Sequence, residues 1–159
     1  MPSEAPYPAD RHPKIHTLFG YWDSLRSGTG LPTRSDFDPT KIPNLLPNIW
    51  LIDVVPPTPR FRYRLVGTAI VEARGHDQTG AYLDQEVADF PRSQTCIDLQ
   101  KVLAGTVSWR RGLPDKLHRL NDIVSLERIF LPLASNGIDV DIVLALTLYQ
   151  SLHRGGTRQ

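Results

Sequence analysis

The sequence has little of what defines several large classes of protein. It contains one cysteine, Cys96, so no disulfide can form within the chain, and this scarcity favours a cytoplasmic location. No apolar run approaches the ~20 residues that a membrane-spanning helix requires. The first residues lack the charged start and apolar core of a secretory signal peptide. The sequence therefore predicts a cytoplasmic protein without a membrane span.

An excess of charge of one sign is also missing. The chain has 18 Lys and Arg against 17 Asp and Glu, and its net charge of +1 does not favour nucleic-acid binding. The 5 histidines show no metal-ligand spacing with acids or cysteine. Neither a Gly-x-Ser-x-Gly motif nor a Gly-rich phosphate loop is present. We therefore expect no metal site and no catalytic residues of these kinds.

The composition is that of one globular domain. The chain has 159 residues, of which 40% are hydrophobic, and this length can bury a substantial core without a metal or a disulfide. Four prolines in residues 1–13 predict a flexible arm, and residues 151–159 form a polar tail. Residues 14–150 are therefore the predicted domain.

A helix with one apolar stripe should follow the arm. Pro13 suits its first turn and Gly28 suits its end. The stripe has to be covered by the domain's own sheet or by a second copy of the chain. For a homodimer we name Leu18, Phe19 and Trp22 as the contact. The stripe consists of Ile15, Leu18, Phe19, Trp22 and Leu25.

The rest of the chain predicts five strands, with helices gathered between the second and the third. The segment from Phe61 to Leu65 alternates apolar and basic residues, as a strand requires, and a short helix and a Gly-rich loop follow as far as Gly80. Asn136-Gly137 between two apolar runs predicts a tight hairpin with positive φ at both residues. The last strand is apolar on both faces and should be covered on both. The remaining predicted elements are strands at 49–55 and 106–109, a helix at 91–104, and hairpin strands at 122–135 and 138–150.

This α+β layout resembles the PAS-type domains of the small proteobacterial subfamily called PAS_5, over residues 15–149. The resemblance rests on the order and spacing of several motifs along this chain. It implies a five-stranded antiparallel sheet of order 2-1-5-4-3 with helices over one face. The motifs are Tyr21-Trp22, Leu25-Arg26, Leu31-Pro32-Thr33-Arg34, Asp38-Pro39, Ile42-Pro43, Leu45-Leu46-Pro47, Phe61 to Thr68, Gly75, Asp77-Gln78-Thr79-Gly80, Glu127-Arg128 and Leu131-Pro132-Leu133.

The resemblance also implies a space for a small molecule between the sheet and the central helices. Flavin-binding members need a reactive cysteine in a particular stretch that the surroundings of Cys96 do not match. Haem-binding members usually have an axial histidine on the helix over the sheet, and the predicted helix at 91–104 has none. We therefore expect neither haem nor flavin, and the resemblance leaves the ligand unknown.

Charged residues on two strands form the candidate site. Glu127 in an apolar strand needs a partner, because an unpaired buried carboxylate is costly. Arg62, Arg64 and Arg128 are the candidates, either as structural ion pairs or with one guanidinium left to bind an anion. Tyr63 and Arg64 should face opposite ways, so only one can face a pocket. The predicted ligand-binding residues are Tyr63, Arg64, Trp109, Glu127 and Arg128.

The sequence thus favours a sensory or interaction domain that has no catalytic activity and signals by binding a small molecule or a protein. A second hypothesis is a small isomerase or hydratase that uses Glu127, with His118, as its acid–base pair. A third is a nucleotide-binding regulator that uses Arg110 and Arg111, although adjacent strand residues face opposite ways.

Overall fold

Residues 5–115 and 123–151 are described by a computed structural model. Four α-helices and five strands lie in these ranges, together with short 3-10 turns. The helices are α1 (Pro13–Ser24), α2 (Thr68–Arg74), α3 (Leu83–Glu86) and α4 (Gln94–Leu103), and the strands are β1 (Ile49–Val55), β2 (Arg60–Val66), β3 (Ser108–Gly112), β4 (Ile123–Leu133) and β5 (Ile142–Ser151).

The five strands form one antiparallel sheet of order β2-β1-β5-β4-β3. The last strand in the sequence lies at the centre of the sheet, between β1 and β4. A central strand has neighbours on both edges, which agrees with its nearly continuous apolar sequence. The predicted α+β class and strand order are confirmed.

Both faces of the sheet are covered, as the sequence of β5 predicted. Leu144 and Leu146 face the cluster that contains the α1 side chains. Val143 and Ala145 face the opposite cluster, which contains residues of α2, α3 and α4. The alternating faces of a single strand therefore anchor two separate hydrophobic layers.

Helix α1 is the cover of the first face. Pro13 occupies its first turn, and the His12 ring caps it by accepting a hydrogen bond from the Lys14 backbone N–H at Nδ1 (3.0 Å). The Trp22 indole N–H donates to the Pro132 carbonyl of β4 at 2.9 Å. The helix ends at Ser24, before Gly28. The buried side chains of α1 are Ile15, Leu18, Phe19 and Trp22.

The connection between β4 and β5 differs from the predicted tight turn. Strand β4 ends at Leu133 and β5 begins at Ile142. In the loop between them only Gly137 has a positive φ, of 79°. The Asn136 side chain accepts from the backbone N–H groups of Ile138 and Asp139 at 2.9 and 2.8 Å. Such a side-chain turn replaces the two-residue hairpin and lengthens the loop. Ile138 is consequently 77% exposed.

Two other boundaries also differ from the predictions. The predicted helix at 91–104 is a 3-10 turn (Phe90–Arg92) followed by α4, because the Ser93 hydroxyl caps α4 by accepting from the Cys96 backbone N–H. The strand predicted at 106–109 is β3, which runs on to Gly112, since Arg110 and Arg111 pair with β4.

Candidate functional site

The space between the sheet and α2 to α4 is filled by aromatic side chains. The Trp50 and Tyr63 rings stack with centroids 5.5 Å apart, and the Phe130 ring meets Trp50 edge-on at 5.7 Å. All three side chains are at most 1% exposed. Aromatic pairs in these geometries stabilise a core beyond the area that they bury.

The Arg74 guanidinium of α2 lies against this aromatic group. It donates to the Tyr149 hydroxyl (2.9 and 3.0 Å), to the Tyr63 hydroxyl (3.1 Å) and to Gln78 Oε1 (2.8 Å). Its central carbon is 5.7 Å from the Trp50 ring centroid, in cation–π range. Burial lowers the pKa of Arg74, but the two phenol oxygens outweigh it and hold that pKa above its ordinary value.

A hydrogen-bonded chain leads from Arg74 to the surface. Gln78, which accepts from Arg74, donates from its amide nitrogen to Glu86 Oε1 at 2.9 Å. The same oxygen lies 2.7 Å from His76 Nε2. Helices α2 and α3 are therefore joined to each other and to the sheet through polar side chains as well as apolar ones.

A second buried arginine, Arg128 of β4, joins the sheet to α4. It donates to Asp98 Oδ2 at 2.6 Å and to the Thr95 hydroxyl at 3.1 Å. Burial lowers the pKa of Arg128, and the Asp98 carboxylate opposes that shift. The Arg110 guanidinium lies 3.9 Å from the same carboxylate. Two arginines thus share the Asp98 carboxylate.

Asp115 anchors the N-terminus of α4. Its carboxylate accepts from the backbone N–H groups of Gln94 and Thr95 at 3.0 and 2.9 Å, and also from the Thr95 hydroxyl. Burial raises the pKa of Asp115, but these hydrogen bonds and the Arg128 charge more than reverse that effect. The net result is a pKa below the ordinary aspartate value of 3.8.

This lowered pKa predicts an acid-dependent loss of stability. A carboxylate with a lower pKa in the folded state stabilises the protein above its unfolded-state pKa, and that contribution disappears as the pH falls through the folded-state value. We expect Asp115→Asn to lower the free energy of unfolding at pH 7 by about 1 kcal/mol. The difference in the free energy of unfolding between this variant and the wild type should shrink below about pH 4. Urea unfolding from pH 7 to pH 2 measures this. Asp139→Asn, in the exposed β4–β5 loop, is the control, and a difference that persists at pH 2 would contradict the prediction.

On the other face of the sheet, Glu127 holds the segment before α1. Its Oε2 accepts from the His12 backbone N–H at 2.9 Å and from the Trp109 indole N–H at 3.1 Å. Its Oε1 lies 3.4 Å from an Arg111 nitrogen. A carboxylate at the start of a helix is also favoured by the helix dipole. Three donors on one carboxylate favour an anchoring role over proton transfer.

A pocket of about 220 Å³ lies beside this anchor, beyond the first turn of α1. Arg111, Glu127 and Leu148 stand side by side on β3, β4 and β5 in the sheet register. Ser125 and Gln150, which pair two positions further along β4 and β5, also line the pocket. His12 belongs to the lining as well. Polar side chains therefore converge where α1 leaves the sheet uncovered.

The structure separates the predicted charged group. Arg62 and Arg64 lie on β2 and both pair with Asp53 at 3.1 Å, while Glu127 and Arg128 lie on β4, with two strands between β2 and β4. Glu127 therefore forms no ion pair with Arg62 or Arg64, because the strand order places β1 and β5 between β2 and β4.

The predicted ligand-binding residues therefore do not share one site. Tyr63 is buried beside Arg74, whereas Arg64 is exposed on the opposite face of β2. Trp109 and Glu127 are in contact, and Glu127 lines the pocket. Arg128 lies on the helix side with Asp98. The alternation of strand faces and the strand order divide this set into four locations.

The predicted dimer contact is buried within the chain. Leu18, Phe19 and Trp22 are 0%, 6% and 1% exposed, and they pack with residues of β4 and β5. In this packing the three side chains cover the chain's own sheet. A homodimer through them would require α1 to leave that sheet and pack on a second copy.

The two other hypotheses, a nucleotide-binding regulator and a small enzyme, can be compared with the positions of their residues. Arg110 approaches Asp98 on the helix side, while Arg111 contacts Glu127 on the α1 side, so the adjacent pair does not converge on one ligand. His118, the partner named for Glu127 in an enzyme, lies outside the described residues.

Sequence reasoning missed Arg74 and Asp98, the charged residues that organise the helix side. Asp98 lies one position before Leu99 in α4, on the buried side of the helix, and it is 2% exposed. An acidic residue beside an apolar stripe was the available signal. Arg74, at the end of a short helix, has no comparable signal in the residue order around it.

The fold and the buried polar clusters define a small α+β domain whose sheet carries helices on both faces. A family model described as a PAS domain, PAS_5, matches residues 10–147. The chain belongs to this PAS domain family, whose members are generally sensory domains.

Comparison with solved structures gives more distant similarities. The Rhodobacter sphaeroides LOV protein is 14% identical, with a TM-score of 0.44 over 76% of this chain and 72% of that chain. A variant of RsLOV is 14% identical, with a TM-score of 0.46 over 75% of this chain and 70% of that chain. No curated protein matches the chain.

Within the described ranges, no helix is both long and apolar enough to cross a membrane. The same residues contain no group of three or more His, Cys, Asp or Glu side chains that could hold a metal ion.

Proposed function

We propose that this chain is a sensory and interaction domain whose interior is occupied by its own side chains. In this proposal it works by contact with another protein in the cytoplasm and catalyses no reaction. The space that PAS domains commonly use for a small molecule contains the Arg74 guanidinium, Trp50 and Tyr63 instead.

The observation that carries this proposal is the set of hydrogen bonds around Arg74. All three guanidinium nitrogens donate, and their acceptors are hydroxyls of Tyr63 and Tyr149 and the amide oxygen of Gln78. Tyr63 is 1% exposed, so removing its guanidinium partner would leave a buried hydroxyl without that hydrogen bond. A ligand in this space would have to displace a guanidinium that already makes four hydrogen bonds.

Native mass spectrometry of the purified, dialysed protein tests this proposal. We expect the mass of the polypeptide alone. The matched variant is Arg74→Ala, which leaves the Tyr63 and Tyr149 hydroxyls and a volume shaped for a guanidinium. Methylguanidinium should raise the thermal midpoint of this variant and leave that of the wild type unchanged.

Two outcomes would contradict the proposal. One is an organic molecule that survives dialysis of the wild type and is lost in Arg74→Ala. The other is a methylguanidinium response of equal size in both proteins, because it would show that the probe does not enter the space vacated by Arg74. Gly75→Ala controls for a general loss of stability near α2, because Gly75 has a φ of 83°, where an alanine strains the backbone, while its Cβ would meet no atom within 4 Å.

A further inference from the structure

We propose that the pocket beyond the first turn of α1 binds a small organic carboxylate, held by the Arg111 guanidinium in exchange for the carboxylate of Asp10. This pocket lies on the opposite face of the sheet from Arg74. It therefore goes beyond the function proposed above and does not depend on it.

Arg111 already binds a carboxylate at the pocket rim. One guanidinium nitrogen lies 3.3 Å from Asp10 Oδ2, and the other donates to the Asp10 backbone carbonyl at 3.0 Å. The Asp10 side chain is 77% exposed, so this ion pair is held weakly against water. Arg111, which lines the pocket, can therefore hold a carboxylate, and a ligand carboxylate would compete with Asp10 for it.

Trp109 and Glu127 prepare Arg111 for this exchange. The Arg111 central carbon lies 5.3 Å from the Trp109 ring centroid, which orients the planar guanidinium. The Glu127 carboxylate lies 3.4 Å from an Arg111 nitrogen. Its hydrogen bonds from the His12 backbone N–H and the Trp109 indole N–H are shorter, at 2.9 and 3.1 Å. Arg111 can therefore turn toward a ligand without leaving Glu127 unpaired.

Besides the Glu127 carboxylate, which is held by His12 and Trp109, the pocket lining contains two polar groups that are donors. His12 Nδ1 accepts from Lys14, so a neutral His12 ring carries its proton on Nε2. The Ser125 hydroxyl donates to Gln150 Oε1 at 3.1 Å, which leaves the Gln150 amide N–H₂ group as a donor. Donors grouped around a guanidinium suit a carboxylate better than a cation.

The size of the pocket limits the ligand. Its volume of about 220 Å³ is below that of the sites that take drug-sized molecules, roughly 300–1,000 Å³. Leu148, next to Glu127 in the sheet, supplies an apolar wall. A carboxylate with a short apolar chain fits both features, and butyrate is a suitable probe.

Two-dimensional NMR titration of the full chain with sodium butyrate at pH 7 tests the proposal. Butyramide, which has the same shape without the charge, and butylammonium, with the opposite charge, are the matched probes. The variants are Arg111→Gln and Asp10→Asn. Arg64→Gln is the control, because Arg64 is also an exposed strand arginine paired with an aspartate.

The two variants should change butyrate affinity in opposite directions. Arg111→Gln should weaken binding at least tenfold, while Asp10→Asn should strengthen it about two- to fivefold by removing the internal competitor. Arg64→Gln should leave it unchanged. Shifts at Arg111 and Leu148 should accompany binding, and butyramide and butylammonium should cause none.

Three results would overturn the proposal. These are the absence of a saturable butyrate response in both the wild type and Asp10→Asn, equal binding of butyramide, and unchanged affinity in an Arg111→Gln variant that gives a folded spectrum. Native mass spectrometry of the interior tests the proposed function separately, so either proposal can fail alone.

Discussion

Replacing Asp98 with alanine is expected to destabilise the protein by about 3–5 kcal/mol, the loss typical of removing one partner from a buried ion pair. Asp98 is 2% exposed and Arg128 is 5% exposed, so water cannot replace the missing carboxylate. Arg110 loses its neighbour as well, and its Nε has no hydrogen-bond partner among the residues described. Urea or thermal unfolding followed by circular dichroism measures the loss.

Asp84→Ala is the matched control. It removes a two-point contact to Arg60 that lies at the surface, with 36% of the Asp84 side chain and 47% of the Arg60 side chain exposed. Exposed pairs contribute at most about 1 kcal/mol. Losses of similar size in the two variants would contradict the role assigned to Asp98.

A double replacement separates charge from packing. Asp98→Leu combined with Arg128→Met removes both members of the pair and keeps apolar volume between α4 and β4. We expect most of the lost stability to return, since a buried ion pair can often be replaced by apolar side chains of similar size. A double variant as unstable as Asp98→Ala would instead show that the site needs hydrogen bonding.

Replacing Gly67 with alanine is expected to cost about 3 kcal/mol, at the upper end of the usual range for overpacking. Gly67 joins β2 to α2, and its N–H donates to the Ile49 carbonyl at 2.7 Å. A Cβ there would lie 2.3 Å from the Pro47 carbonyl oxygen and 2.6 Å from that of Leu46. Both contacts are with backbone atoms, so no side chain can rotate away to relieve them.

Gly20→Ala provides a control of opposite sign. Gly20 lies inside α1, and an added Cβ would meet no atom within 4 Å. Alanine there should stabilise the protein by about 0.5–1 kcal/mol through its higher helix propensity. Thermal unfolding of both variants measures the two effects. Equal and small changes would show that β2 and the turn before β1 can move apart.

At Gly67 the pattern is visible in the sequence, but the reason for the glycine lies in the tertiary structure. The change from strand to helix at Gly67-Thr68 is visible in the sequence and is confirmed by the bounds of β2 and α2. The φ of Gly67 is −65°, which any residue can adopt, so local conformation does not require glycine. The requirement comes from the Pro47 and Leu46 carbonyls, which tertiary folding brings against it.

The elements were predictable where apolar periodicity was strong. The stripe of α1, the alternation of Phe61 and Tyr63 in β2, and the two apolar faces of β5 each led to the observed packing. The predicted boundaries were wrong where a polar side chain set the limit of an element, as Ser93 does at the start of α4 and Asn136 does after β4. Side-chain caps depend on a rotamer choice that composition does not reveal.

The sequence by itself determined the class of fold and the faces of its strands, because apolar spacing is read directly from residue order. It also separated Tyr63 from Arg64, since neighbouring strand residues must point to opposite faces. Tertiary structure alone decided the partners of the charges. Arg74 meets Tyr149, Arg128 meets Asp98, and Glu127 meets His12 across long stretches of chain. Such pairs depend on strand order and helix placement, so no local pattern contains them.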